Sequence, residues 1–318
     1  MRRVITVAWL LCNLLVFGGI FISFFLSGTA PLFDYFSLFP QSIYPSLLFL
    51  LFIIGYFLLR TPRWILVFPI VGMILSLIWL LDIVFIHFPV SSPDSSRIIR
   101  VVSWNTGVWD ATREELFFAE MKKRNADVYL LQEVIFANNT GLKERLLEEF
   151  PAFFVSYGGE YLTISRFPIL KNEFLLSKGY SRHEIEIKGK LVTFYNVHLR
   201  VPIYGDAVKR DNKYDFYLRK GQFSDLQRDL HQEHGSYFLG GDFNSTRNYS
   251  FMRILENQLV MNQPEGILLF PKTFHSLLPM IRIDYQFTNK TNQFVKYERF
   301  GGTISDHFGL YGEFYDNN

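Results

Sequence analysis

LGGDFNSTRN, residues 239–248, puts an acid and an amide, Asp242 and Asn244, two apart just beyond an apolar strand end. Tyr237, Phe238 and Leu239 read as a short buried strand, Gly240 and Gly241 permit unusual backbone angles, and polar groups follow at the exit. A strand end that opens onto a polar loop is where α/β enzymes often place chemistry. Gly, Asp, Asn and Ser are also turn formers, so the stretch taken alone does not separate a site from a loop. The other strand ends decide it.

From residue 98 onward, short strands alternate with amphipathic segments. IIRVVSWNTG runs as a β-rich segment into Asn105, TREELFFAEMKKRN has helical spacing, and ADVYLLQEV ends in Gln132 and Glu133. YLTISRFPIL and KLVTFYNVHLR follow as strands, the second presenting Asn196 and His198. A helix of mixed charge, about 217–233, leads into YFLGGDFN. MIRIDYQFTN then carries Asp284, and GGTISDHFGLYGEF sets Asp306 and His307 before the last strand. A hard divalent cation wants carboxylate, amide and water oxygens, and phosphate chemistry wants such a cation plus donors near the transferred group. Two His among several acids therefore point to metal-assisted phosphoryl hydrolysis rather than zinc hydrolysis, which favours a His-rich shell.

In this order, SWN, LQE, ISRFPI, NVHL, GGDFN, RIDY and SDH resemble the endonuclease/exonuclease/phosphatase superfamily, the deoxyribonuclease I-like fold, over residues 98–316. The resemblance implies a four-layer α/β sandwich, two packed mixed β-sheets flanked by helices, with the site at one end of the sheet pair. It implies Glu133 as the principal Mg2+ ligand, with Mn2+ as the alternative ion, Asn105 beside it, and Asp306 completing or water-bridging the shell. Asp242 would orient or deprotonate the attacking water, and Asn244 would hold that water and a phosphate oxygen. On an extended segment these two side chains share one side while Phe243 points into packing. His307 would contact the phosphoryl oxygen or the water, with Asp284 fixing its tautomer, and His198 would donate to the phosphate. Two departures stand out: Phe308 and Gly309 follow SDH where a proline is frequent, and Glu160 and Tyr161 stand where small or apolar residues are common. Tyr161 is the candidate to stack on a substrate group.

The first ninety residues differ in kind. Ile5 to Leu26 is 22 residues without a charge, long enough to cross a bilayer core of about 30 Å. Runs from Ile43 to Leu59 and from Trp64 to Leu81, the latter extending towards residue 86, read as a hairpin around RTPR. Three membrane helices over residues 1–89, a linker at 90–97 and a catalytic domain at 98–318 are therefore expected. Arg2, Arg3, Arg60 and Arg63 put the N-terminus and the hairpin turn in the cytoplasm and the domain in the periplasm or outside. A cleaved signal peptide is the competing reading of the first run, and Asp82 reads as a residue at the membrane interface.

Residues 1–89 hold four Arg and two Asp, which leaves 28 basic and 28 acidic residues beyond them. That neutral balance argues against a broad basic surface for long nucleic acid. The single cysteine, Cys12, lies in the first apolar run, so the domain has neither disulfides nor a thiol nucleophile nor a cysteine zinc site. His231 and His234 read as a solvated helix end, His183 in SRHE as exposed strand, Arg219 and Gln222 as structural contacts, and 201–216 as a lid or a surface excursion. The resulting expectation is a membrane-anchored, Mg2+-dependent phosphodiesterase or phosphatase with a phosphate-ester substrate, lipid-linked esters among the candidates. An exported nuclease is the alternative, and a catalytically silent scaffold stands third. No protein partner is inferred.

Overall fold

The computed structural model of the protein describes residues 2–38, 43–59, 61–79, 97–109, 111–135, 141–202, 212–263, 272–274 and 281–316. Residues 80–96, with Asp82 and nearly all of the expected linker, and 203–211 of the expected lid lie outside them.

Beyond residue 97 the chain forms two six-stranded sheets laid face to face. Ile98–Asn105 (β1), Val128–Gln132 (β2), Phe154–Gly158 (β3), Tyr161–Ser165 (β4), Gln293–Phe300 (β11) and Gly309–Tyr315 (β12) form one, in the order β11-β12-β1-β2-β4-β3. Ile169–Leu175 (β5), Tyr180–Ile187 (β6), Lys190–His198 (β7), Ser236–Asp242 (β8), Val260–Met261 (β9) and Asp284–Thr288 (β10) form the other, in the order β5-β6-β7-β8-β10-β9. Each sheet has one parallel pair, β1 with β2 and β7 with β8, and its other pairs are antiparallel. Parallel neighbours need a long crossover. Helix Glu114–Arg124 (α5) supplies it in the first sheet, and Asn212–His231 (α7) in the second.

Strand alternation builds three cores. In β1, Ile99 and Val101 turn inward to meet Phe194, Phe238 and Phe314 between the sheets, whereas Val102 and Trp104 turn outward against Phe117 and Met121 of α5. Leu142–Glu149 (α6) covers the same outer face with Leu142 and Leu146. On the far side Tyr195, Val197, Leu239 and Phe243 pack under α7 and Ser250–Gln258 (α8). Helices, sheet, sheet and helices give the four layers.

The two glycines of GGDFN have separate causes. A Cβ on Gly240 would lie 2.9 Å from Ser103 Cβ of the facing sheet, and Gly241 has φ +144° with Val197 O 2.0 Å from where its Cβ would sit. One permits close approach of the sheets and the other permits the backbone.

His183, expected on an exposed strand, is fully buried. It shares its face of β6 with Ile185 and Ile187, both in the core between the sheets, so period-two alternation carries it inward. Its ring contacts Ser181 Oγ at 2.9 Å and Phe174 edge-on, and burial pushes its pKa down from 6.5 to about 4. Below pH 6.5 the unfolded chain takes up a proton that the folded chain refuses. About 3 kcal/mol of stability should therefore be lost between pH 6.5 and 4, levelling off below. Melting temperatures of the full chain in detergent across that range should fall more steeply than those of His183→Leu.

Three membrane-length helices were expected, and the described residues contain one. Arg2–Phe21 (α1) runs on through a wider π-helical turn to Leu26, giving a 24-residue helix from Arg3 whose most apolar 18-residue stretch is 22% buried. Ile43–Ile53 (α3), continuing to Leu58, and Val67–Trp79 (α4) pack together as a hairpin, but the apolar helices Ile43–Leu58 and Val67–Leu77 are short. At 1.5 Å per residue the described part of neither reaches about 30 Å, and residues 80–86 of the third expected helix lie outside the described residues. The turn at 61–66, with Thr61, Pro62 and Arg63, interrupts the apolar sequence. A short helix, Pro31–Leu38 (α2), follows α1 and lies against α7.

Candidate active site

The carboxyl ends of β1, β2, β7 and β8 and the start of β10 meet at one end of the sandwich. Parallel pairing sets Asn105 beside Gln132 and His198 beside Asp242, and antiparallel pairing sets Asp242 opposite Asp284. Asp242 lies at the centre, 1% exposed. Its Oδ2 accepts from Asn105 Nδ2 at 3.1 Å and lies 3.9 Å from His198 Nε2 and 3.8 Å from His307 Nε2. Each imidazole is held from behind. His307 Nδ1 meets Asp284 at 3.0 Å and His198 Nδ1 meets Glu160 at 2.9 Å, so His307 Nε2 faces Asp242 and His198 Nε2 lies between Glu133 Oε1, at 3.5 Å, and Asp242.

The electrostatics follow from that packing. Burial opposes charge on both rings, yet Glu160 and Asp242 lift His198 to about 9, and Asp284 and Asp242 lift His307 to about 10. Burial, together with Asp284 across the strand pair, pushes Asp242 up. Two imidazolium rings bracketing a carboxylate leave N–H groups aimed at one small volume, suited to the oxygens of a phosphate.

Glu133 leaves β2 with φ +59° and Val108 has φ +57°. Such a backbone is uncommon for residues with a Cβ, costs about 1–3 kcal/mol each, and clusters at functional sites. Asn105 Nδ2 also donates to Glu133 Oε1 at 2.9 Å, and Val108 N donates to Oε2 at 3.0 Å. Asp306 is exposed on the other side of the 105–108 turn, where a Cβ on Gly107 would stand 2.4 Å from its Oδ1. Ser305 Oγ donates to Asn105 O, and Trp104 Nε1 to His307 O, lacing the two loops together.

Glu133, Glu160, Asp242, Asp284 and Asp306 thus face two imidazoles, and among the described residues no Lys or Arg pairs with Glu133, Asp242, Asp284 or Asp306. That excess of negative oxygen donors fits a hard divalent cation. Asp242, Asp284 and His307 also present ligand atoms within 4.8 Å of one another, but His307 Nδ1 is already committed to Asp284. Glu133 is half-buried and Asp306 exposed, while Asn105 is fully buried with its Oδ1 accepting from Gly107 N at 3.0 Å.

Several expectations change in detail. Asp242 and Asn244 do not lie on one extended run: Asn244 has φ +47°, and its backbone N–H donates to Asp242 Oδ1 at 2.7 Å, closing a turn. Its side-chain Nδ2 is spent on Leu199 O at 2.9 Å, tying the turn to the end of β7 rather than reaching outward. Tyr161 is 1% exposed, its hydroxyl donating to His198 O at 3.2 Å, so it supports that strand end from below and has no face for stacking. Gln132 and Asn196 pair amide to amide at 2.7 Å between the sheets, away from the opening. His231 and His234 are exposed, as expected of a solvated helix end. The partner of His198, Glu160, was missed. Its position in GGEYLTISR, one residue before a strand that pairs with β2, was the signal.

The sequence pattern of the Endonuclease/Exonuclease/phosphatase family matches residues 102–307, the span from β1 to His307. The chain belongs to that family. Its members are metal-dependent phosphoester hydrolases, and this chain is one. Solved structures agree in fold. A humanized TDP2 of D. rerio superimposes with a TM-score of 0.53 at 16% identity, covering 69% of this chain and 99% of that one. The endonuclease/exonuclease/phosphatase of Beutenbergia cavernae gives 0.52 at 20% identity, covering 70% and 72%. The human Nocturnin catalytic domain, which holds a bound sulfate anion, gives 0.52 at 16% identity, covering 74% and 97%. No curated protein matches the sequence.

Proposed function

We propose that this family member is a membrane-anchored phosphodiesterase or phosphatase in which Asp242 activates water for in-line attack on phosphorus. The observation that carries the reading is the convergence of two carboxylate-backed imidazole Nε2 atoms on Asp242 Oδ2. Asp242 takes the proton of the attacking water as the P–O bond to the leaving group breaks, the released alkoxide taking a proton from solvent, and the Asn244 backbone N–H keeps the Asp242 carboxylate aimed. His198 and His307 donate to the phosphoryl oxygens as charge grows on them, held in register by Glu160 and Asp284. Glu133, Asn105 and Asp306 would hold Mg2+ or Mn2+, which supplies neutralisation of the phosphate charge.

A cavity of about 580 Å3 opens beside Glu133 and His198 and is lined also by Leu176, Arg200, Tyr214 and Leu218. Its volume suits a compact ester or headgroup whose apolar part would lie against Leu176 and Leu218, while Arg200 in its wall is paired with Asp215 at 3.0 Å. Membrane attachment is supported by the side chains that α1 and the α3–α4 hairpin leave uncovered, among them Val4, Leu15, Phe49, Phe57 and Leu58. A soluble surface does not normally carry so extensive an apolar patch. Ser27 Oγ donates to Asn248 O at 2.7 Å, so the segment leaving α1 and the catalytic domain lie on the same side of any membrane that α1 crosses. With the positive-inside reading, that side is the periplasm or exterior.

The test is hydrolysis by the full chain in detergent, with Mg2+ and with EDTA, of a phospholipid headgroup diester, plasmid DNA and a small phosphomonoester. Metal-dependent cleavage of the lipid with intact plasmid is expected, and plasmid nicking would instead make the protein a nuclease. Glu133→Gln should raise the Mg2+ concentration for half-maximal rate by about tenfold or more. An unchanged metal dependence would remove Glu133 from the cation site.

A further inference from the structure

A buried ion pair joins the segment after α1 to the turn that follows Asp242. Arg219 on α7 is 1% exposed and Asp34 on α2 is 4% exposed. Arg219 Nη1 donates to Asp34 Oδ2 at 3.1 Å, while its Nη2 donates to Asn244 O at 3.1 Å and Ser245 Oγ at 2.5 Å. The guanidinium lies 3.9 Å from the centre of the Tyr249 ring, and Asp34 Oδ1 accepts from Gly28 N at 2.6 Å. Around this pair Ser27 reaches Asn248 O, and Arg253 stacks on Phe24 while donating to Asn248 O. The contact is therefore made between residues 24–34 on one side and Arg219 of α7, the 244–249 turn and the start of α8 on the other.

Burial pushes Asp34 up even though it faces Arg219, and it pushes Arg219 down. A buried pair of this kind is weak evidence for stability, since apolar residues of similar volume often serve as well. Its geometry offers another reason. The planar guanidinium has a fork on each side, and here one side is fixed by Asp34 and the other grips the Asn244–Ser245 turn. The backbone N–H of Asn244 in turn aims Asp242.

We propose that Asp34 is a positioning residue for catalysis: acting through Arg219 from outside the catalytic domain, it holds the Asn244–Ser245 turn and so the orientation of the Asp242 carboxylate. The inference rests on the role proposed above for Asp242. It makes full activity depend on docking of the domain onto the segment that leaves α1.

The experiment compares the full chain in detergent with Asp34→Asn, Arg219→Met and the double variant, by melting temperature, hydrogen exchange of the 243–246 amides, and kcat and KM on whichever ester the wild type cleaves. Asp34→Asn keeps an acceptor for Gly28 N but leaves a buried guanidinium unpaired. It should speed exchange at 243–246 and lower kcat about tenfold, with KM little changed. In the double variant both charges are gone, so the melting temperature should return towards wild type while kcat stays about tenfold down and exchange stays fast. Recovery of kcat together with melting temperature would overturn the proposal, because the pair would then serve stability alone. Wild-type exchange at 243–246 in Asp34→Asn would overturn it equally. A wild type that cleaves no phosphate ester would refute the functional reading and the catalytic half of the inference with it, while exchange would still decide whether Asp34 holds the turn.

Discussion

Asp242→Asn is expected to lower kcat by about 10³-fold on a phosphate ester while leaving the fold intact. The side chains are nearly isosteric, and asparagine retains an oxygen for the Asn244 N–H that Asp242 Oδ1 now accepts. What disappears is the basicity that takes the proton of the attacking water. Because burial and Asp284 disfavour the charged form of Asp242, the variant should melt at the same temperature as wild type or higher. This is the pattern expected where function costs stability. A kcat within tenfold of wild type would exclude Asp242 as the base.

Asp284→Asn should cost about 10²- to 10⁴-fold in kcat by a different route. Asp284 both fixes the ring of His307 through Nδ1 and, against the burial that opposes ring charge, is foremost in lifting its pKa to about 10. Without that carboxylate the imidazolium loses its proton at lower pH. Activity that depends on a protonated His307 should then fall on the alkaline side at a lower pH than in wild type. An undisplaced alkaline limb in the variant would show that the His307 proton does not limit the rate, leaving Asp284 a structural part of β10.

Much of this was legible because strand ends are short, and their polar residues have few places to go. Asn105, Glu133, His198, Asp242, Asp284 and His307 each follow or begin an apolar run, and strand pairing alone brings Asp242 beside His198 and opposite Asp284. The resemblance carried by the ordered motifs likewise anticipates two sheets covered by helices. What escaped depended on three-dimensional approach. The tight turn at Asn244 arises because its own backbone N–H closes onto Asp242, which an extended reading of GDFN does not show. The pairing of Glu160 with His198 depends on the approach of one sheet to the other, and Tyr161 beside it is covered by the strand end that it supports. For His183 the signal was present: the alternation of SRHEIEI places it with the isoleucines.

Arg219 marks the same boundary between local and long-range information. It was read as a structural contact, and its carboxylate partner lies 185 positions away in sequence. No local pattern around either residue points to the other.

The measurement that most directly tests the central claim is hydrolysis by the full chain in 18O-labelled water, with mass analysis of both products of the ester it cleaves. Water activated at Asp242 for attack on phosphorus puts one labelled oxygen in the phosphate product and none in the alcohol. Label in the alcohol would mean that the carbon–oxygen bond is broken, contradicting the account of Asp242, His198 and His307 as a phosphoryl-transfer site.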